Sequence, residues 1–135
     1  MTDKKVILYA EDDKGLRDAT ERTLRRSFPE YTIETVNSGD SLEKRLNNGI
    51  EDVALVITDN EMPGVRGAKI IELYAKKEGF RRIPFILFYG GDDIIGKVAV
   101  ENGAFSYVLK PLKIEDLFPT VSRALQHSEI TASLQ

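Results

Sequence analysis

Three short stretches of this 135-residue chain gather groups able to do chemistry: Glu11-Asp12-Asp13, Asp59 and Lys110-Pro111. Each ends a run of apolar residues: Ile7 to Ala10, Val53 to Thr58, and Tyr107 to Leu109. Carboxylates brought together repel one another, and a divalent cation held by oxygen ligands relieves that repulsion. Magnesium suits an all-oxygen donor set. A carboxylate beside such a cation can attack phosphorus and become an acyl phosphate, while the metal and a lysine neutralise the oxygens of the transferred group. Here Asp59 would be the nucleophile and Lys110 the lysine. An acyl phosphate adds about two negative charges and strong acceptor oxygens, enough to re-dock nearby loops. The expected activity is therefore a switch, not a turnover enzyme.

For these stretches to meet, each must end a strand on the same edge of one sheet. Lys5 to Ala10 reads as a first buried strand, and Asp13 to Phe28 repeats apolar or small residues at helical spacing (Leu16, Ala19, Thr20, Thr23, Leu24). Tyr31 to Val36 is a second strand, and Ser38-Gly39-Asp40 supplies capping chemistry for a helix presenting Leu42 and Leu46. Val53 to Thr58 is continuous and rich in β-branched residues, as a central parallel strand covered on both faces should be. Gly67 to Glu78 then shows a stripe of Ile70, Ile71, Tyr74 and Ala75; Pro84 to Tyr89 is a fourth strand; Asp92 to Asn102 carries Ile94, Ile95, Val98 and Ala99. Phe105 to Leu109 is the fifth strand, and the last helix offers Ile114, Leu117, Phe118, Val121 and Leu125. Pro119 falls near its start and predicts a kink or a late beginning.

Regular strand–helix alternation favours right-handed crossovers and a parallel sheet with helices on both faces. The expected fold is α/β: a three-layer, doubly wound, five-stranded parallel sheet in the flavodoxin-like order 2-1-3-4-5, with chemistry at the carboxyl ends of strands 1 and 3. The length fits one domain, expected over residues 1–127, with 128–135 as a tail or linker remnant where apolar periodicity fades. With 41% hydrophobic and 30% charged residues, the composition suggests neither disorder nor a membrane protein. The chain has no cysteine, which excludes disulfides, thiolate metal sites and cysteine nucleophiles. Net charge is −3, and the basic pairs Arg25-Arg26, Lys76-Lys77 and Arg81-Arg82 are dispersed, so no direct nucleic-acid footprint is expected. The N-terminus enters a strand without an apolar leader, which places the protein in the cytoplasm on this reading, with no membrane contact.

The segments Ile7-Leu-Tyr-Ala-Glu-Asp-Asp13, Thr58-Asp-Asn-Glu-Met-Pro-Gly64, Asn102-Gly-Ala-Phe-Ser-Tyr107 and Leu109-Lys-Pro111 resemble the four signature regions of the response-regulator receiver family, in order and spacing, across residues 4–127. By that resemblance Asp59 is the phosphoacceptor, Asp12 a direct Mg2+ ligand, Glu11 a ligand acting through water, and Glu61 the position whose backbone carbonyl completes the metal shell. Lys110 is the phosphoryl-binding lysine, before a peptide bond that is usually cis in the family. The implied partners are a sensor histidine kinase or phosphotransfer protein and, downstream, a protein or output domain met at the helix 4, strand 5, helix 5 face, with a homodimer also allowed.

One position departs from the family. Strand 4 should end in threonine or serine, but here the residue is Tyr89, or Phe88 if the loop is one shorter, followed by Gly90-Gly91. Tyr107 stands at the switch aromatic position, so two tyrosines are expected to compete for one space. The alternative reading is a degenerate receiver acting as a phosphorylation-independent protein-interaction module. An aspartyl phosphohydrolase is disfavoured because Asp59-Asn-Glu61 follows the third strand instead of the first, and a flavin module because no phosphate-binding loop follows strand 1. Among single residues, Asp13 reads as a helix cap, Met62 as core filling and His127 as an exposed bystander.

Overall fold

A computed structural model describes residues 4–133. The chain alternates β1 (Val6–Ala10), α1 (Lys14–Ser27), β2 (Thr32–Val36), α2 (Gly39–Leu46), β3 (Val53–Asp59), α3 (Gly67–Tyr74), β4 (Phe85–Tyr89), α4 (Ile94–Glu101), β5 (Ser106–Leu109) and α5 (Ile114–Ser133). All neighbouring strands run parallel, in the order β2-β1-β3-β4-β5. The fold and strand order are those expected from the alternation.

Because side chains alternate faces along a strand, the sheet divides the interior into two cores. Leu8, Val56, Phe85, Leu87 and Tyr89 pack with α2, α3 and α4 residues on one side; Ile7, Tyr9, Leu55, Ile57, Ile86 and Phe88 pack with α1 and α5 residues on the other. β1, β3 and β4 are buried along their whole length, which is why their sequences show unbroken apolar runs. Asp13 caps α1, accepting from the Leu16 N–H at 3.0 Å, and Ser38 caps α2, accepting from Ser41 N–H.

Three helices differ from their expected form. α3 ends at Tyr74 because the chain turns there to bring Phe80 into the core, its ring 5.3 Å from that of Tyr74. α4 buries Gly96 and Ala99 and half-buries Ile95, so of the expected apolar stripe Ile94 (59%) and Val98 (46%) are left exposed. The cause is Tyr107: a Cβ built on Gly96 would lie 2.5 Å from its ring, so the bare backbone at this position, and not an isoleucine, faces the sheet. α5 starts at Ile114, before Pro119, and continues through Ser133. Pro119 lies in the second turn, where it removes the backbone donor that would have met the Glu115 carbonyl, and beyond residue 127 the Tyr31 hydroxyl donates to Glu129 at 3.0 Å, tying the helix to the β2 side. Burial and Glu129 push the Tyr31 phenol up to about 12.

Candidate functional site

The carboxyl ends of β1, β3 and β5 converge, and the chain order of the sheet puts β1 beside β3. Asp59 is the last residue of β3, with its carboxylate buried, and Glu11 follows β1, equally buried. Asp12 is exposed at the mouth. Ligand oxygens of Glu11, Asp12 and Asp59 all lie within 4.8 Å of one another. Lys110, just after β5, reaches across: its Nζ is 3.0 Å from Asp59 Oδ1 and 3.3 Å from Glu11 Oε1.

Local backbone chemistry fixes each group. Asn60 is buried, and its Oδ1 accepts from the Ala68 N–H at 2.9 Å while its own N–H donates to the Phe88 carbonyl, so it locks the Asp59 peptide between β4 and the start of α3. Arg66, at the α3 N-cap, makes no side-chain cap bond, and Asn60 supplies that acceptor from the neighbouring strand end. A Cβ on Gly67 would lie 2.2 Å from the Asp59 carbonyl oxygen, so only glycine lets α3 sit this close. Residues 60–66 are pinned to α2 through the Gly39 N–H to the Pro63 carbonyl and the Val65 N–H to Asp40. The Lys110-Pro111 bond is cis.

Electrostatics follow from these positions. Burial, then the neighbouring Asp59 charge, push the Glu11 carboxyl up to about 7, against the Asp13 N–H and Lys110, which favour its ionised form. Burial works against the Lys110 ammonium, but Asp59 and Glu11 outweigh it and hold its pKa above the ordinary lysine value. Asp59 Oδ1 is buried, and the group that faces it is the Lys110 ammonium at 3.0 Å. Three clustered carboxylates form the all-oxygen donor set a hard divalent cation requires; the residues fit Mg2+.

A family model described as the response regulator receiver domain matches residues 7–122. The chain belongs to the response regulator receiver domain family. Among its relatives are the DNA-binding transcriptional regulator NtrC of Azospirillum brasilense (33% identical over 129 residues, 95% of this chain and 26% of NtrC) and the two-component response regulator ARR5 of Arabidopsis thaliana (29% identical, 82% of this chain and 65% of ARR5). It spans about a quarter of the length of NtrC and of the hydrogenase transcriptional regulatory protein HoxA of Cupriavidus necator. A CheY-like receiver domain protein of Methanospirillum hungatei shares the fold, with a TM-score of 0.81 at 23% identity over 96% of this chain and 99% of that one. Receiver domains are signalling switches of two-component systems, and their acidic pocket binds Mg2+.

Within this receiver domain, Glu11, Asp12, Asp59 and Lys110 come together as expected. The Glu61 side chain does not join them: it is exposed and accepts from the Asn60 amide at 3.3 Å. Asn60 belongs to the site without a sequence signal of its own, since an asparagine before a Pro-Gly turn reads as ordinary turn chemistry. Met62 is buried in the core, Asp13 is a cap, and His127 is exposed with its ring 5.5 Å from Phe105.

At the strand-4 position Tyr89 is 1% exposed and its ring lies 5.8 Å from that of half-buried Tyr107. The two tyrosines pack side by side, one inside and one at the rim. Burial raises the Tyr89 pKa, and the Gly96 N–H opposes this weakly, but no group meets hydrogen-bonding geometry at its hydroxyl. A buried unsatisfied hydroxyl costs stability. Tyr89→Phe is therefore expected to raise the unfolding free energy by about 1 kcal/mol in urea denaturation; a loss would show that the hydroxyl is bonded in solution.

Proposed function

We propose that this receiver is a phosphoacceptor, taking a phosphoryl group on Asp59 from a phosphohistidine of a sensor kinase or phosphotransfer protein in the cytoplasm. The observation that carries this reading is the Lys110 ammonium 3.0 Å from the buried Asp59 carboxylate, with the Glu11 and Asp12 oxygens clustered beside it. An Asp59 oxygen attacks phosphorus, the P–N bond to the donor imidazole breaks, and the leaving nitrogen keeps the electron pair and regains a proton. Lys110 faces the charge that develops on the phosphoryl oxygens. Glu11, Asp12 and Asp59 would hold Mg2+, with Glu61 contributing through its backbone, and the ion would supply further neutralisation of those oxygens. The new charge then shifts the β4–α4 loop, where Gly90 is exposed and Gly91 has a φ of +105°.

The downstream partner, an output domain or a separate protein, is read at the α4–β5–α5 face, where Ile94, Val98 and Leu109 are exposed. A second reading is favoured by one observation: Tyr89 fills the place of a short hydroxyl and its own hydroxyl bonds nothing. In that case the face is a fixed interaction module. Incubation with Mg2+ and a small-molecule phosphodonor, followed by intact mass measurement, separates the two. Wild type should gain one phosphoryl group and Asp59→Asn none; an unlabelled wild type, under conditions that label another receiver, supports the fixed module.

A further inference from the structure

The apolar run that forms β1 contains one residue with a polar end, Tyr9, and the sequence alone gives it only a core role. Its ring is fully buried in the α1/α5-side core, 5.9 Å from the ring of Phe88. Its hydroxyl, however, points along the strand to the site and donates to Glu11 Oε1 at 3.4 Å. Glu11 is itself buried, and its two oxygens are held differently. Oε2 accepts from the Asp13 N–H at 3.2 Å, while Oε1 is shared between Tyr9 and Lys110, the latter at 3.3 Å.

Lys110 also pairs with Asp59, and on the phosphoacceptor reading it must turn toward the phosphoryl group once one arrives. Glu11 Oε1 would then lose its ammonium. Leucine or valine at position 9 would leave that buried oxygen without a donor, and a stranded carboxylate turns away to find one. It is then no longer held in place for a cation.

We propose that Tyr9 is a positioning residue: its hydroxyl holds Glu11 in the orientation that serves the divalent cation while Lys110 is engaged elsewhere. Groups that orient a metal-directed carboxylate without touching the ion typically change affinity by about ten- to a hundredfold. This inference rests on the proposed phosphoacceptor reading for its purpose but not for its measurement.

The test is Mg2+ binding by isothermal titration calorimetry on the full chain, in wild type, Tyr9→Phe, Glu11→Gln and the double variant, alongside mass measurement of phosphoryl uptake. Tyr9→Phe should weaken Mg2+ binding about tenfold with little change in Tm, and should change nothing further in the Glu11→Gln background. Ile33→Val, a loss of one methyl group in the same core, should lower stability and leave Mg2+ affinity alone. Equal Mg2+ affinity in wild type and Tyr9→Phe, or a tenfold loss that persists without the Glu11 carboxylate, overturns the positioning role. If wild type binds Mg2+ but takes no phosphoryl group, the phosphoacceptor reading fails while a Tyr9-dependent affinity still stands. Absence of any Mg2+ binding by wild type overturns both.

Discussion

Lys110→Ala should lower the unfolding free energy by about 3 kcal/mol in metal-free buffer near neutral pH. The Lys110 ammonium is the charge shared by two buried carboxylates, Glu11 at 3.3 Å and Asp59 at 3.0 Å. Removing one partner of a buried charge cluster is far more damaging than removing an exposed pair, because the remaining charges stay desolvated and repel. The loss lies toward the lower end of that class because Glu11, already pushed toward its neutral form, can take up a proton. Saturating Mg2+ should bring the variant close to the stability of metal-free wild type, since a ligand present at a hundred times its Kd stabilises the folded state by about 2.7 kcal/mol. Urea titrations with and without Mg2+ measure both effects. A loss below about 1 kcal/mol, the range of exposed ion pairs, would mean the pocket is wetter than its burial indicates.

Stability without metal should fall as pH rises from about 4.5 to about 7, by up to roughly 3 kcal/mol. The cause is Glu11. Burial, then the neighbouring Asp59, push its carboxyl up to about 7 in the folded protein from an ordinary value of about 4.5. Between those values the folded state holds a proton that the unfolded chain has released, so protonation favours folding. This stabilisation is fully present below the unfolded pKa and is lost as pH rises through the folded one. Mg2+ should flatten the slope, because a cation requires the ionised carboxylate and its binding releases the proton. Unfolding free energies at several pH values across this window, with and without Mg2+, give the two curves. Stability that climbs with pH in metal-free buffer would show that Glu11 is already ionised in the acid range.

Much of this site could be read before any fold was known. Asp59 and Lys110 stand out because charged residues end runs such as Val53–Thr58 that only a fully covered parallel strand explains, and such strands place their ends together. What escaped the sequence depends on packing across elements. Gly96 gives no sign of being the inward face of α4 until the Tyr107 ring lies over it. The helical course of α5 through Ser133 is hidden because apolar periodicity ends near Leu125, and its tether, Tyr31 to Glu129, joins residues far apart in the chain. Asn60 and Tyr9 were missed for opposite reasons: one looks like a turn residue and the other like core, yet each carries a polar atom to a distant backbone or carboxylate partner. Tyr89 is visible as a departure, but its place beside Tyr107 needs the register of β4 on β5.

The central claim is that the phosphoryl group bonds to one buried carboxylate among four charged side chains from three strand ends. An acyl phosphate is reduced by borohydride to the corresponding alcohol, which turns a labelled aspartate into homoserine. Wild type treated with Mg2+ and phosphodonor, reduced and mapped by peptide mass spectrometry, should carry homoserine at position 59 and at no other acidic residue. Homoserine at position 12 or 13, with Asp59 intact, would contradict the assignment.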